Sequence, residues 1–542
     1  MHLPADPARR CAWALVLFGT VFAVAYCQAP LYYSNQNQYF LHGLALAGVG
    51  LLDEDWLAGT RDPTPVFTGL VALTVRWLHP WMFHLLYALL QGVYAVALLG
   101  LFVTIAGKDA ATRRWPVFVA LFVAVHSGLG RWCSYRWFGH DYPWFLQAGV
   151  AGQYILGPVL QPSVFGVLLV VAVCLFAYDR PYLAAVSVAL AATFHSTYLL
   201  VAALLTLGFL CSLWVEGRRR QAFAVGGLTI ALVVPILVHV LIGFRPTSPE
   251  AFAEAQEILA NFRIPHHARV DYWLDSVAAL QIAWVVLALV LVWRTRLFVV
   301  LAIPFVLAAL LTLVQVATGS HTLALLFPWR VSAVLVPVAT MIILTRLVSL
   351  SWVPLEGPIV RGVSVVIVAG LVGSGVWIMA SRQAFHTSDE ELGVLDFVRR
   401  NKDSGDIYFL PVQVPDRSKK TRGSLSSDFE PLGEKRQDKR VIPYDFQRFR
   451  LLSGAPLFID FKSVPYRDDE VLAWRARIRV AQEVQEKLDP GRVSEALAEL
   501  RGHDITHLVL QANRKLRVPG LKEVYADKYY RVYQLIPSRK SR

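Results

Sequence analysis

Charged residues make up only 17% of this 542-residue chain, against about 25% in ordinary soluble domains. With 56% of the residues hydrophobic and a mean hydropathy of +0.47, the shortage of charge excludes a chain dissolved wholly in water. Cysteine is sparse too. All five cysteines (Cys11, Cys27, Cys133, Cys174 and Cys211) precede residue 212, so no disulfide framework and no Cys-x-x-Cys pair supports the remainder. Neither a Gly-rich phosphate loop nor a nucleophile elbow occurs in the polar C-terminal part.

What the chain does contain is a series of long apolar runs. Each is bounded by short charged connectors, from Cys11 to Ala380, and a mixed, charged region follows from Phe385. A helix needs about 20 apolar residues to cross a bilayer, and the runs predict about eleven spans. They cover residues 11–28, 81–105, 115–130, 162–178, 182–194, 197–214, 222–243, 276–293, 297–317, 330–348 and 360–380. The first run follows Arg9-Arg10 as a signal sequence would, but Ala25-Tyr26-Cys27-Gln28 is a poor cleavage site, which predicts a retained helix.

The formal charge of +13 does not point to nucleic acid, because many of the basic residues sit in short connectors between spans. With the N-terminus cytoplasmic, Arg9, Arg10, Lys108, Arg113, Arg114, Arg180, Arg218 to Arg220, Arg294, Arg296, Arg346 and Arg361 share the inner side. Asp53, Glu54, Asp55, Asp62, Asp141, Glu250 and Asp271 share the outer side. That partition requires a break at His195 and sets the C-terminal region outside, in the periplasmic or extracellular space of an inner-membrane protein. The long outer loops are 31–76, 131–161 and 244–275, and within the first of them Pro65 to Leu78 is amphipathic enough to lie along the interface.

Two domains are expected: a transmembrane body over 1–384 and a small α/β domain over 385–542. In the latter, Asp389–Arg400, Asp468–Leu488 and Val493–Arg501 read as helices. Asp406–Val412, Pro456–Phe461 and Thr506–Gln511 read as strands, Lys522–Tyr525 with Tyr530–Gln534 as a hairpin, and Pro415–Arg440 as a polar loop.

Several motifs carry a resemblance: Asn35-Gln36-Asn37-Gln38-Tyr39-Phe40, Asp55-Trp56, Gln161-Pro162-Ser163, His195-Ser196-Thr197, Phe449-Arg450-Leu451, and Asp460-Phe461-Lys462-Ser463 with Pro465-Tyr466. In these motifs the chain is similar to a group of bacterial multi-pass proteins, and in its whole architecture it resembles the GT-C superfamily of polytopic glycosyltransferases. The resemblance implies transfer of a sugar from a polyprenyl-phosphate-linked donor to a glycan or lipid acceptor on the outer face. One departure stands out: GT-C enzymes commonly place an acidic pair just after the first span, where this chain has the amides Asn35 to Gln38 and reaches acids only at Asp53-Glu54-Asp55.

Transfer from a phosphate-linked donor needs a base and something positive, or a metal, to stabilise the departing phosphate. Asp55 and Asp53 are the candidate base and a candidate Mg²⁺ or Mn²⁺ pair, with a solvated turn as the plain alternative. His140-Asp141, among Tyr135, Trp137, Phe138, Tyr142 and Trp144, offers a second acid–base pair or an interfacial belt. Arg330 begins a span on the outer side, where topology does not call for it, and its planar donors suit a lipid phosphate. His195, Gln161, Arg269, Asn37 and Gln38 are candidate substrate contacts, while Asp460, Lys462, Pro465 and Tyr466 read as a hinge packing the soluble domain onto the body. The alternatives to a transferase are a non-catalytic GT-C-like scaffold or lipid-binding protein, which the amide-rich first loop favours, and a transporter. The internal repeats and mid-span charges of a transporter are not evident.

Overall fold

The computed structural model describes residues 7–350, 355–385, 389–412, 414, 448–488 and 492–536. Six of its helices are long and apolar enough to cross a membrane, or seven when the bent pair Lys108–His126 and Gly128–Phe138 is taken as one span. Met82–Ala106, for example, has 25 residues, and at about 1.5 Å per residue this exceeds the roughly 30 Å of a hydrocarbon core. Shorter apolar helices at Ala12–Tyr26, Pro162–Ala177, Pro181–Phe194 and Ser276–Leu291 coincide with four of the expected runs. The chain is therefore a multi-pass helical membrane protein.

Burial within the protein sorts the helices. The apolar window of His321–Val348 is 78% buried inside the protein, whereas those of Arg219–Gly243 and Pro358–Ala380 are 17% and 22% buried, which makes the first central and the other two peripheral. Exposed Ile359, Val366, Phe223 and Ile242 form a surface too apolar for water. Trp13, Trp77, Trp81, Trp115, Trp137, Phe138, Trp214 and Trp293 are exposed, as interfacial aromatics are.

The connectors expected to share one side do meet. Arg218 and Arg296 pair with Asp179 at 2.5 and 3.0 Å, Arg296 reaches Glu216 at 2.8 Å, and Arg114 reaches Glu356 at 3.0 Å. The break at His195 is also present: Pro181–Phe194 ends, His195 is extended at φ −143°, and a 3-10 turn over Ser196–Tyr198 leads into Leu199–Val215. Pro65–Trp77 is a helix whose buried face (Phe67, Thr68, Val71 and Ala72) recurs at the i, i+4 spacing of an amphipathic helix.

The C-terminal region holds a four-stranded sheet in the order β1-β2-β4-β3, with β1 Tyr408–Phe409, β2 His507–Gln511, β3 Leu521–Ala526 and β4 Tyr530–Leu535. The β1–β2 pairing is parallel and the others antiparallel. Helices Leu392–Asn401, Asp468–Lys487 and Val493–Gly502 accompany it. The segment expected as a strand at 456–461 makes only a bridge from Leu457 to Tyr408. Proline explains this, since Pro456 accepts from the Tyr408 N–H at 3.0 Å but has no N–H to return. The polar loop read at 415–440 lies outside the described residues.

Candidate functional site

The first loop and the C-terminal region meet along a polar seam. Asp55 is fully buried there: its Oδ1 accepts from the Leu57 N–H at 2.9 Å, and its Oδ2 accepts from Arg450 Nε at 2.7 Å and from the Leu457 N–H at 2.8 Å. Arg450 is 2% exposed and also pairs with Asp460, so two carboxylates from distant segments hold one guanidinium. Glu54 accepts from Ser404 and the Gly405 N–H at 2.7 and 2.8 Å, and those bonds hold its carboxyl below the usual range. Gly50 and Gly454, both left-handed, meet backbone to backbone, and a Cβ on Gly50 would lie 2.4 Å from the Gly454 carbonyl oxygen.

Further contacts extend the seam. Gln38 donates to the Val464 carbonyl at 3.2 Å and the Tyr466 hydroxyl at 3.0 Å, Lys462 to the Ser34 hydroxyl at 3.1 Å, and the Thr247 N–H to Asp468 at 2.6 Å. Asn37, nominated for substrate, spends its amide N–H groups on the Tyr32 and Ser34 carbonyls at 2.7 and 3.0 Å. It thereby braces a loop in which Tyr32 and Ser34 are themselves left-handed.

A second cluster surrounds Arg330, which follows the left-handed Phe327 in a Phe-Pro-Trp-Arg turn. Its Nε donates to Gln153 Oε1 at 2.8 Å, and its Nη1 contacts His195 Nε2 at 3.2 Å and the Thr197 hydroxyl. No partner is a carboxylate, and Arg330 makes no salt bridge among the described residues. Tyr39 packs edge-on against His195, with ring centroids 5.8 Å apart, and links this cluster to Tyr466 at the seam. Burial, and then the neighbouring Arg330 charge, hold His195 well below the ordinary histidine range. His267 Nδ1 donates to the Ala151 carbonyl at 2.6 Å, the direction being fixed because a carbonyl only accepts. Burial, with smaller repulsion from Arg330 and Arg263, lowers its pKa to about 4.

Of the nominated residues, Arg330 and His195 meet, while the candidate acids do not converge on them. Asp55 belongs to the seam, and Asp141, 1% exposed, is paired with Arg131 at 2.8 Å. His140 is exposed while the adjacent Asp141 points inward, so the two act separately. Arg269 pairs with Asp271 at 2.8 Å in solvent, and Gln161 donates to the Tyr154 hydroxyl at 3.3 Å. Asp53 is exposed. The Asp53/Asp55 pair does not suit a divalent cation, because both Asp55 oxygens are taken by N–H donors and a guanidinium sits 2.7 Å away. No group of three or more His, Cys, Asp or Glu positioned for a metal occurs among the described residues. Reading the sequence passed over Gln153, whose only signal is an amide within an otherwise apolar, glycine-containing stretch of the second long loop.

Residues 435–481 match a family described as a domain of unknown function, DUF6798. This segment contains Arg450, Lys462, Tyr466, Asp468 and Glu470, side chains that dock onto the body, and Asp460, which pairs with Arg450. The described part of the matched segment, residues 448–481, thus carries much of the contact between the C-terminal region and the body. No curated protein matches the chain.

Proposed function

We propose that the chain is a GT-C-like glycosyltransferase of the inner membrane, holding a polyprenyl-phosphate-linked sugar through Arg330 and passing the sugar to an outer-face glycan or lipid acceptor. The observation that carries this reading is the guanidinium of Arg330, set at a span boundary with only neutral partners. A buried or half-buried cation without a carboxylate is suited to a phosphate, which its planar donors match in pairs. In this reading all eleven apolar runs cross the bilayer, the shorter helices being lengthened by their flanking turns. The arginine-rich connectors face the cytoplasm, and the C-terminal domain lies outside.

The acceptor hydroxyl still needs a base that can reach it. Asp55 is walled off by Arg450 and two backbone N–H groups and exposed Glu54 is engaged by Ser404 and Gly405, which leaves exposed Asp53 as the candidate acid of the first loop. Sequestration of Asp55 and Asp141 in buried ion pairs favours a second reading, a non-catalytic binder of the same lipid in envelope assembly. Purified protein incubated with a radiolabelled polyprenyl-phosphate sugar and a membrane glycolipid extract separates the two. A transferase moves label to the extract and stops in Asp53→Asn; a binder retains label on the protein and transfers none.

A further inference from the structure

Arg330 does more than present its own charge. By donating to Gln153 Oε1 and His195 Nε2, it occupies the accepting end of each neighbour. The amide of Gln153 is thereby oriented and the imidazole of His195 is fixed as the Nδ1–H form. Their remaining polar atoms, Gln153 Nε2 and His195 Nδ1, are donors, and both are buried without any acceptor, in side chains only 3% exposed. Trp329 Nε1, one residue before Arg330, is a third buried donor without a partner. Leaving a buried donor unsatisfied costs about 1–3 kcal/mol, and such groups are rare in native proteins. Gln153 and His195 both contact Arg330, and Trp329 shares a cavity with Gln153 and Arg330 that His195 does not line, so donors outnumber acceptors around this guanidinium.

We infer that Gln153, His195 and Trp329 are neutral hydrogen-bond donors of an oxyanion site, oriented by Arg330, and that the group they take is a phosphate or diphosphate. The proposal rests on the lipid-phosphate reading above and assigns the residues that grip the headgroup. Gln153, Trp329 and Arg330 line one cavity of about 10 Å³, the room of a single water molecule. Entry of an oxyanion would require the turn bearing Phe327 to shift. That turn already carries a non-glycine residue at φ +49°, in the strained region that collects at ligand sites. No carboxylate lines the cavity to repel the anion.

The test uses the full-length protein in lipid nanodiscs, with polyprenyl monophosphate and, separately, inorganic diphosphate as probes. Gln153→Glu keeps an oxygen for Arg330 but replaces the donor by a negative charge; it should bind both probes roughly 10- to 100-fold more weakly without lowering the melting temperature. His195→Asn places an amide N–H near the Nδ1 position, whereas His195→Gln places its amide near Nε2. The donor role predicts that Asn retains more affinity than Gln, and a purely structural role as acceptor for Arg330 predicts the reverse. Wild-type affinity in Gln153→Glu, or better binding by Gln than by Asn, would overturn the inference while leaving the lipid-phosphate reading intact. Binding of diphosphate but not the lipid would support the oxyanion site and reject that reading, and binding of neither probe would reject the site.

Discussion

Arg450 donates to Asp55 at 2.7 Å across 395 positions of sequence, in a site where neither side chain is more than 3% exposed. The ion pair ties the first loop to the C-terminal region, and the fate of either residue depends on the other. Breaking a buried pair by removing one partner costs about 3–5 kcal/mol because the other charge is stranded. Asp55→Asn should therefore loosen docking, read as faster proteolysis of the C-terminal region and a lower melting temperature. The double variant Asp55→Asn with Arg450→Gln should recover part of the loss, a coupling that a double-mutant cycle measures. If Asp55→Asn leaves both readouts unchanged, Asp55 is no clamp.

His267 sets an acid limit on stability. Its folded pKa of about 4 lies below the roughly 6.5 of an unfolded histidine, so the folded state favours the neutral ring. As pH falls from about 6.5 toward 4 the unfolded chain takes up a proton that the folded chain does not, and stability declines through that window. Below it both states are protonated and this contribution is gone. His267→Asn, which retains an N–H for the Ala151 carbonyl, should flatten the melting temperature between pH 6.5 and 4 relative to wild type. An unchanged slope would remove His267 as its source.

The proposed orientation puts the connectors that meet through Asp179, Arg218 and Arg296 in the cytoplasm. A reporter active only outside the cytoplasm should work when fused after Ala380, and a cytoplasmic reporter should work after Arg220. Cytoplasmic activity after Ala380 would reverse the orientation proposed for the C-terminal domain.

Much of the membrane body was legible in the sequence because each apolar run is closed by a charge, a proline or a glycine, and those local signals need no partner. The His195 break was readable for the same reason, as a polar triplet interrupting an apolar stretch. The acids were harder to interpret. Asp55 and Asp141 have the side chains of candidate bases, and only the arrival of Arg450 and Arg131 makes them ion-pair partners. The pairing of Asp55 is long-range, and nothing near it in the chain announces it. Arg330 was conspicuous by its position, whereas Gln153 was not, since an amide gains its role only when the guanidinium takes its oxygen.

The proposed function requires Arg330 to hold a lipid phosphate. Affinity for polyprenyl phosphate, measured with purified wild-type, Arg330→Lys and Arg330→Gln proteins in the same nanodiscs, tests this. Lysine keeps the charge but loses the planar paired donors, and loss of a charge-assisted contact is worth about 1.5–3 kcal/mol, or roughly ten- to more than hundred-fold in affinity. The predicted order is wild type tightest, Arg330→Lys weaker and Arg330→Gln weakest. Equal affinity in all three proteins would contradict the account.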